Sequence, residues 1–287
     1  MRRLTIAVII ATKGRPGIAA QLVRHLGAQT RRPDRVLLSV ATPHDAPRVS
    51  GAEIVCGPVG LAAQRNTGLR AAECVDLAVF YDDDFVPAPA SLEAIERLFS
   101  ERPEIAGATG HVAADGAAGV AISDDAAAAI CRQLHLSPPP VEERNVTGLY
   151  GCNMAIRLAA AKELWFDEAL PLYGWQEDLD FGARLSRRGR VIRTTAFGGV
   201  HRGVKSARPV ERGLGYAQIA NPAYLMRNGD IPARYLIRLM ARNIAANHLG
   251  ALTGASTSDR LGRVRGNWRA FADLARGRLS PDRAAEL

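Results

Sequence analysis

The apolar run Asp76-Leu77-Ala78-Val79-Phe80-Tyr81 ends in three consecutive acids, Asp82-Asp83-Asp84, and continues as Phe85-Val86-Pro87. An apolar stretch that stops abruptly at a block of carboxylates reads as a buried strand delivering those acids to the edge of a sheet. Three carboxylates so close repel one another. The simplest relief is a hard divalent cation, which takes oxygen ligands. A cation at the C-terminal end of a strand is also well placed to grip a phosphate.

Strand and helix signals alternate on both sides of this run. Leu4 to Ala11 reads as a buried parallel strand, and Pro16 suits the first turn of a helix running to about Ala28. Val36 to Ala41 and Glu53 to Cys56 read as strands, Gly60 to Ala72 and Ser91 to Ser100 as helices, and Ile105 to Val112 as another strand. This alternation predicts an α/β fold with a doubly wound, mostly parallel sheet flanked by helices. Residues 114–147, rich in Ala, Gly and Pro, break the pattern and read as a binding excursion with helix around Asp124 to Leu134. The pattern returns over Gly148 to Arg157, with a short helix expected from Leu158, a helix over Glu177 to Arg188 and a last short strand over Val191 to Thr195. From Pro209 onward the chain turns helical and basic. Arg234, Arg238 and Arg242 share one face of a helix over Pro232 to Leu249, and the tail beyond Ser256 reads as polar, with frayed last residues.

The 287 residues, 47% of them hydrophobic, suffice for one large α/β domain with a C-terminal addition. The net charge of +8, from 37 Lys and Arg against 29 Asp and Glu, favours anionic partners. The basic helices lack aromatic interleaving and any nucleic-acid motif, which argues against nucleic acid. Cys56, Cys74, Cys131 and Cys152 have no metal or disulfide spacing and read as buried free thiols in a reducing cytoplasm. The apolar N-terminus is followed by Thr12-Lys13-Gly14-Arg15-Pro16 rather than a small-residue cleavage site, so a first strand is the better reading than a signal peptide. No segment reaches the roughly 18 apolar residues that span a bilayer.

Four features in order carry a resemblance over roughly residues 4–205. They are Ala7-Val-Ile-Ile-Ala-Thr-Lys-Gly-Arg-Pro16, Ala62-Ala-Gln-Arg-Asn-Thr-Gly68, Tyr81-Asp-Asp-Asp-Phe-Val-Pro87, and the pair Gly151-Cys-Asn-Met-Ala155 and Gly174-Trp-Gln-Glu-Asp-Leu-Asp180. Together they resemble the family 2 glycosyltransferases, inverting, metal-dependent enzymes of the GT-A fold. The resemblance implies a catalytic domain over residues 1–205 and a helical basic extension over 206–287. It also implies transfer of a sugar from a nucleoside-diphosphate donor to a hydroxyl of a saccharide or lipid-linked acceptor, with Mn2+ or Mg2+ as cofactor. Such a role in polysaccharide biosynthesis would be cytoplasmic, with peripheral contact at the inner membrane face through the arginine-bearing helix.

The same resemblance distributes roles. Asp82 and Asp84 take the first and third places of the metal motif and point the same way by strand alternation. Asp84 is then the favoured metal ligand, Asp82 reaches the cation or the ribose, and His201 completes the shell. Thr12, Arg15, Arg65, Asp82 and Asp83 fall on the nucleotide side, and Arg202 and Lys205 near the leaving diphosphate. Asp178 is the expected general base, with Glu177 beside it and Asp180 as the alternative. Trp175 and Asn153 fall on the acceptor side, although Trp175 reads equally as core. One departure stands out. Leu38-Ser39-Val40-Ala41-Thr42 ends without the acid that often reads the base, which leaves Ser39, Thr42, the Asp45 region or backbone groups for that task. The alternatives are a sugar nucleotidyltransferase, which usually opens with a Gly-rich loop that Gly14 alone does not make, and a basic membrane or nucleic-acid binding module.

Overall fold

The computed structural model describes residues 2–117, 119–171, 174–204, 211–254 and 259–287. In chain order the elements are β1 (Ile6–Thr12), α1 (Pro16–Gly27), β2 (Arg35–Val40), β3 (Glu53–Cys56), α2 (Leu61–Ala71), β4 (Leu77–Asp82), β5 (Phe85–Pro87), α3 (Ser91–Glu101), β6 (Ile105–Asp115), α4 (Asp124–Leu136), β7 (Glu143–Asn145), β8 (Asn153–Arg157), α5 (Glu177–Leu185), β9 (Arg190–His201), α6 (Glu211–Asn228), α7 (Ala233–Thr253) and α8 (Arg260–Ala275). A 3-10 turn over Pro281–Glu286 follows. The sheet runs β3-β2-β1-β4-β8-β6-β9-β5, with β7 also on β9. Pairing is parallel through β3-β2-β1-β4 and between β6 and β9. β8 enters antiparallel between β4 and β6, and the short strands β5 and β7 add antiparallel to β9. The expected α/β sheet flanked by helices is the fold.

Both faces of the sheet are covered, which is why its central strands are apolar without alternation. On one face Ile6, Val8 and Ile10 pack with Leu22 and Leu26 of α1 and Leu92 and Ile95 of α3. On the other, Ala7 and Ile9 pack with Leu69 of α2, Met154 of β8 and Phe181 of α5. The chain leaves β1 toward β2 on one side and returns to β4 on the other. That reversal opens a crevice beyond the C-terminal ends of β1 and β4, where open α/β sheets bind ligands.

The C-terminal helices dock on α5, where Leu179 and Ala183 meet Leu225, Ile231 and Leu236. Four readings from sequence need correction. The segment from Leu158 forms turns, not a helix, and the last strand is β9, which runs on to His201. Cys56 and Cys74 are exposed, while Cys131 and Cys152 are buried, all four being free. The tail beyond Ser256 is not merely polar and frayed. It contains α8, packed against α6, and Asp273 near its end is buried and accepts from Tyr216 Oη at 3.1 Å and Arg283 Nε at 2.9 Å. The α6–α8 contact is backbone on backbone. A Cβ on Gly215 would lie 2.1 Å from the carbonyl oxygen of Arg263, and one on Gly266 2.1 Å from that of Arg212. Small residues make this interface, so hydrophobic periodicity does not announce it.

Gly266→Ala should therefore push α8 off α6 and destabilise the chain by about 1–3 kcal/mol in urea unfolding. Gly17→Ala, on an exposed part of α1 where a Cβ meets nothing within 4 Å, should leave stability unchanged or slightly raised.

Candidate active site

Register brings the polar groups to one edge. Ala11 of β1 pairs with Asp82 of β4. Because β8 runs antiparallel to β4, Tyr81 pairs with Asn153, so the segment 147–152 arrives at the same edge as the acids. β9 ends with His201 paired to both Phe85 and Asp115. One ligand atom each from Asp82, Asp84 and His201 lies within 4.8 Å of the others. His201 Nε2 is 3.4 Å from Asp84 Oδ1 and 3.8 Å from Asp82 Oδ2. Its Nδ1 is held by Asp115 Oδ1 at 2.9 Å, and Tyr150 Oη donates to Asp115 Oδ2 at 2.8 Å. This carboxylate–imidazole relay aims Nε2 at the two acids, the usual arrangement behind a metal-binding histidine. Asp84 is anchored by the Val204 N–H at 2.7 Å.

The cluster's acids have only partial compensation, from Arg65 at Asp82 and from Arg15 Nη1 at 3.7 Å from Asp84 Oδ2. Burial lowers the affinity of His201 for a proton, yet Asp115, Asp84 and Asp82 outweigh it and push the imidazole up to about 10. Two carboxylate oxygens and one imidazole nitrogen that call for a cation fit Mn2+ or Mg2+, with the nitrogen favouring manganese.

Asp83 is turned elsewhere. It is buried, takes a hydrogen bond from Thr12 Oγ1 at 2.7 Å and from Arg15 Nε at 3.1 Å, and is further paired with Arg15 Nη2. Arg15 also donates to the Val204 carbonyl at 2.7 Å. These three residues thus brace the crevice floor, and Thr12 is itself buried. Asp45 braces the same turn, accepting from the Gly14 N–H at 2.6 Å and from Thr42 Oγ1 at 3.0 Å.

Arg65, on α2, reaches under the crevice with its side chain only 3% exposed. It pairs with Glu177 and donates to Asp82 Oδ1 at 3.1 Å. A Cβ on Gly151 would collide with its guanidinium, Nη2 lying 2.4 Å away, so Gly151 has no room for a side chain. The Gly151 N–H donates to Asp178 Oδ2 at 2.7 Å, and the Leu179 N–H to Oδ1 at 2.8 Å. Burial raises the Asp178 carboxyl against the pull of Arg65 and these two donors, and Asp82 adds to the rise. Burial likewise pushes Glu177 up, to about 8, opposed by Arg65 and reinforced by Asp178 and Asp82. Just before α5, Gly174, Trp175 and Gln176 all have positive φ, at 76°, 21° and 81°. Gln176 is buried, and among the described residues neither its two amide atoms nor Trp175 Nε1 has a hydrogen-bond partner.

These groups line a cleft of about 630 Å³ that contains Asp82, His201, Arg65, Glu177, Asp178, Trp175 and Gln176. Residues of α7, among them Tyr235 and Asn243, form part of its wall. Not every expected residue lines it: Thr12, Arg15, Asp83 and Asp84 lie behind its wall. Asn153 is fully buried beneath the edge, its Nδ2 directed at the His111 carbonyl. Asp180 is buried and bound by Arg184 Nε at 2.9 Å. Arg202 points away from the acids, to Gln21 Oε1 at 2.6 Å and Asp124 Oδ1 at 3.2 Å. Lys205 lies outside the described residues. Asp115, Tyr150 and Gln176 went unread in the sequence. Only Asp115 left a signal, as a lone acid ending the strand that begins at Ile105, a weaker form of the signature at Asp82.

Solved structures share this fold. The mannosyltransferase PcManGT from Pyrobaculum calidifontis, in complex with GDP-Man and Mn2+, superposes with a TM-score of 0.53 at 14% identity, over 99% of this chain and 86% of that one. GalNAc-T7 with UDP, GalNAc and Mn2+ gives 0.53 at 12% identity over 96% of this chain. TarS from S. aureus gives 0.55 at 15% identity over 98%. The chain spans 58% of the GalNAc-T7 chain and 54% of the TarS chain. No family model matches the chain, and no curated protein matches it in sequence. At these identities the likeness establishes the fold, that of the GT-A glycosyltransferases, which agrees with the resemblance read from the motifs. No helix among the described residues is long and apolar enough to cross a membrane.

The raised Glu177 has a sign. The folded state holds a proton that the unfolded chain releases near the ordinary glutamate value, so this group's stabilisation is complete below that value. It is lost as pH climbs to about 8. Urea midpoints from pH 5 to 9 should fall, with Asp83 and His201 contributing in the same direction, and Glu177→Gln should make the fall shallower.

Proposed function

We propose that the chain is a metal-dependent, inverting glycosyltransferase of the family 2 type. It would move a sugar from a nucleoside-diphosphate donor to a hydroxyl of a saccharide or lipid-linked acceptor. The observation that carries this reading is the pair of polar centres in one cleft: the Asp82–Asp84–His201 cluster and the Asp178 carboxylate, joined through Arg65. It sits on a fold shared with PcManGT, solved with GDP-Man and Mn2+, and GalNAc-T7, solved with UDP, GalNAc and Mn2+.

Asp82, Asp84 and His201 would hold Mn2+ or Mg2+, and the bound ion supplies positive charge to the leaving diphosphate. The protein's own part follows from its side chains. Asp115 and Tyr150 keep the His201 ring aimed at the acids. Thr12 and Arg15, clamped on Asp83, shape the nucleotide crevice. Asp178 accepts the proton of an incoming hydroxyl, and its burial raises its affinity for that proton toward what a base needs. Arg65 keeps Glu177 and Asp82 from adding more negative charge beside it. The buried Gln176 amide lies within the cleft wall, and the Trp175 ring offers an apolar surface there. With one base and no nucleophilic side chain required, a single displacement inverts the anomeric centre. The acceptor could be membrane-borne: exposed Arg234 and Arg238 flank exposed Ile237 on α7, a combination suited to an anionic bilayer surface.

Thermal shift and transfer assays separate the parts. UDP or GDP with Mn2+ should raise the wild-type midpoint. Asp84→Asn should abolish that shift together with transfer. Asp178→Asn should keep the shift while kcat falls about 10²–10⁴-fold; normal turnover in Asp178→Asn would remove it as the base. Release of pyrophosphate from a sugar phosphate and a nucleoside triphosphate would identify a nucleotidyltransferase instead. In co-sedimentation with vesicles containing 30% anionic lipid (about that fraction suffices for a surface potential), wild type should pellet and the Arg234→Glu, Arg238→Glu double variant should remain in the supernatant.

A further inference from the structure

Away from the acids, the cleft is walled by three arginines: Arg144 of β7, Arg193 of β9 and Arg242 of α7. All three are exposed, and none is ion-paired with a described residue. The acid next to Arg144, Glu143, is held by Arg102 at 3.1 Å. Of the carboxylates that line the cleft, Glu177 and Asp82 are already paired with Arg65, and Asp178 is bound by two backbone N–H groups.

Arg144 and Arg193 are direct cross-strand partners, so both side chains leave the same face of the β7–β9 ribbon. Like charges so placed repel one another, and no described residue offers them a countercharge. A bound oxyanion would. The guanidinium fork matches a phosphate or a carboxylate with two parallel hydrogen bonds, and two or three forks converging on one cleft wall suit such a group better than any neutral sugar.

The leaving diphosphate is not that anion. Thr109 and Asp115, the β6 partners of Arg193 and His201, are six residues apart. At the rise of an extended strand that places about 20 Å of sheet between Arg193 and the cluster. A diphosphate held beside Asp82 and Asp84 ends well short of this wall. The anion belongs to what enters from the other end.

We propose that Arg144, Arg193 and Arg242 form a subsite for an oxyanion carried by the acceptor, either a phosphate ester or a sugar carboxylate. The assignment of the anion to an acceptor rests on the glycosyltransferase reading; the existence of the subsite does not.

The test is a thermal-shift titration at constant ionic strength, with UDP or GDP and Mn2+ present at saturation. Three probes are compared: phenyl phosphate, phenyl glucuronide and phenyl glucoside. Wild type should respond to at least one of the two charged probes and not to the neutral glucoside, and the stronger of the charged arms identifies the source of the anion. The Arg144→Gln, Arg193→Gln variant should bind the responding probe at least tenfold more weakly. Its shift with nucleotide and Mn2+ should be intact, and its unliganded midpoint equal to or above that of wild type, because a like-charge pair has been removed. Charged probes that fail to shift wild type, or that bind the variant as tightly, would overturn the subsite. So would a variant midpoint several degrees below wild type, since the arginines would then be braces of the fold. A nucleotide and Mn2+ response that is absent while the charged probes behave as described would overturn the acceptor assignment and the donor reading, and leave the oxyanion subsite standing.

Discussion

One buried guanidinium holds the two halves of the site in register. Arg65 lies beneath the sheet edge and pairs with Asp82 from β4 and Glu177 from α5, and it also acts on Asp178. Those carboxylates come from segments almost a hundred residues apart in sequence, and each is partly or wholly removed from water. Without a shared cation, burying them together would cost several kcal/mol for each unpaired charge. With it, the end of β4 and the first turn of α5 are tied to a single point. The absence of a side chain at Gly151 is the clearance that lets Arg65 lie there.

Charge is distributed unevenly in this molecule, and the imbalance is informative. The chain is basic as a whole, yet its sheet edge carries more acids than partners. Asp82, Asp83, Asp84, Asp115, Glu177 and Asp178 face Arg15, Arg65 and His201. Burial raises Asp83, Glu177 and Asp178, while Asp84 and Asp115 are held low mainly by His201. A region that strips its acids of water and gathers three ligand-bearing side chains is organised to hold a cation rather than for rigidity alone.

Much of this was legible in the chain. A strand buried on both faces leaves an unbroken apolar run, and acids at its end can only emerge at the sheet's edge, so β4 and its aspartates announced themselves. The Glu177-Asp178 pair was readable because it opens a helix behind a glycine and a tryptophan. Other parts were silent for physical reasons. The turning away of Asp83 and the relay from Tyr150 through Asp115 to His201 depend on strand neighbours that no local pattern encodes. The burial of Asn153 follows from β8 being sandwiched between β4 and β6, which a parallel reading of the sheet does not foresee. The packing of α8 escaped notice because Gly215 and Gly266, not large apolar residues, form its contact with α6.

The backbone at Gly174, Trp175 and Gln176 carries a last implication. Only the first of these is a residue at ease with a left-handed conformation; the other two hold it at a cost of about 1–3 kcal/mol each. Glycine at position 176 would relax the chain and remove a buried carboxamide that has no hydrogen-bond partner among the described residues. A search for sturdier variants would therefore drift toward glycine first, and would discard an amide of the cleft wall. At this corner the wild-type glutamine keeps a polar side chain in the cleft wall at a cost in thermal robustness.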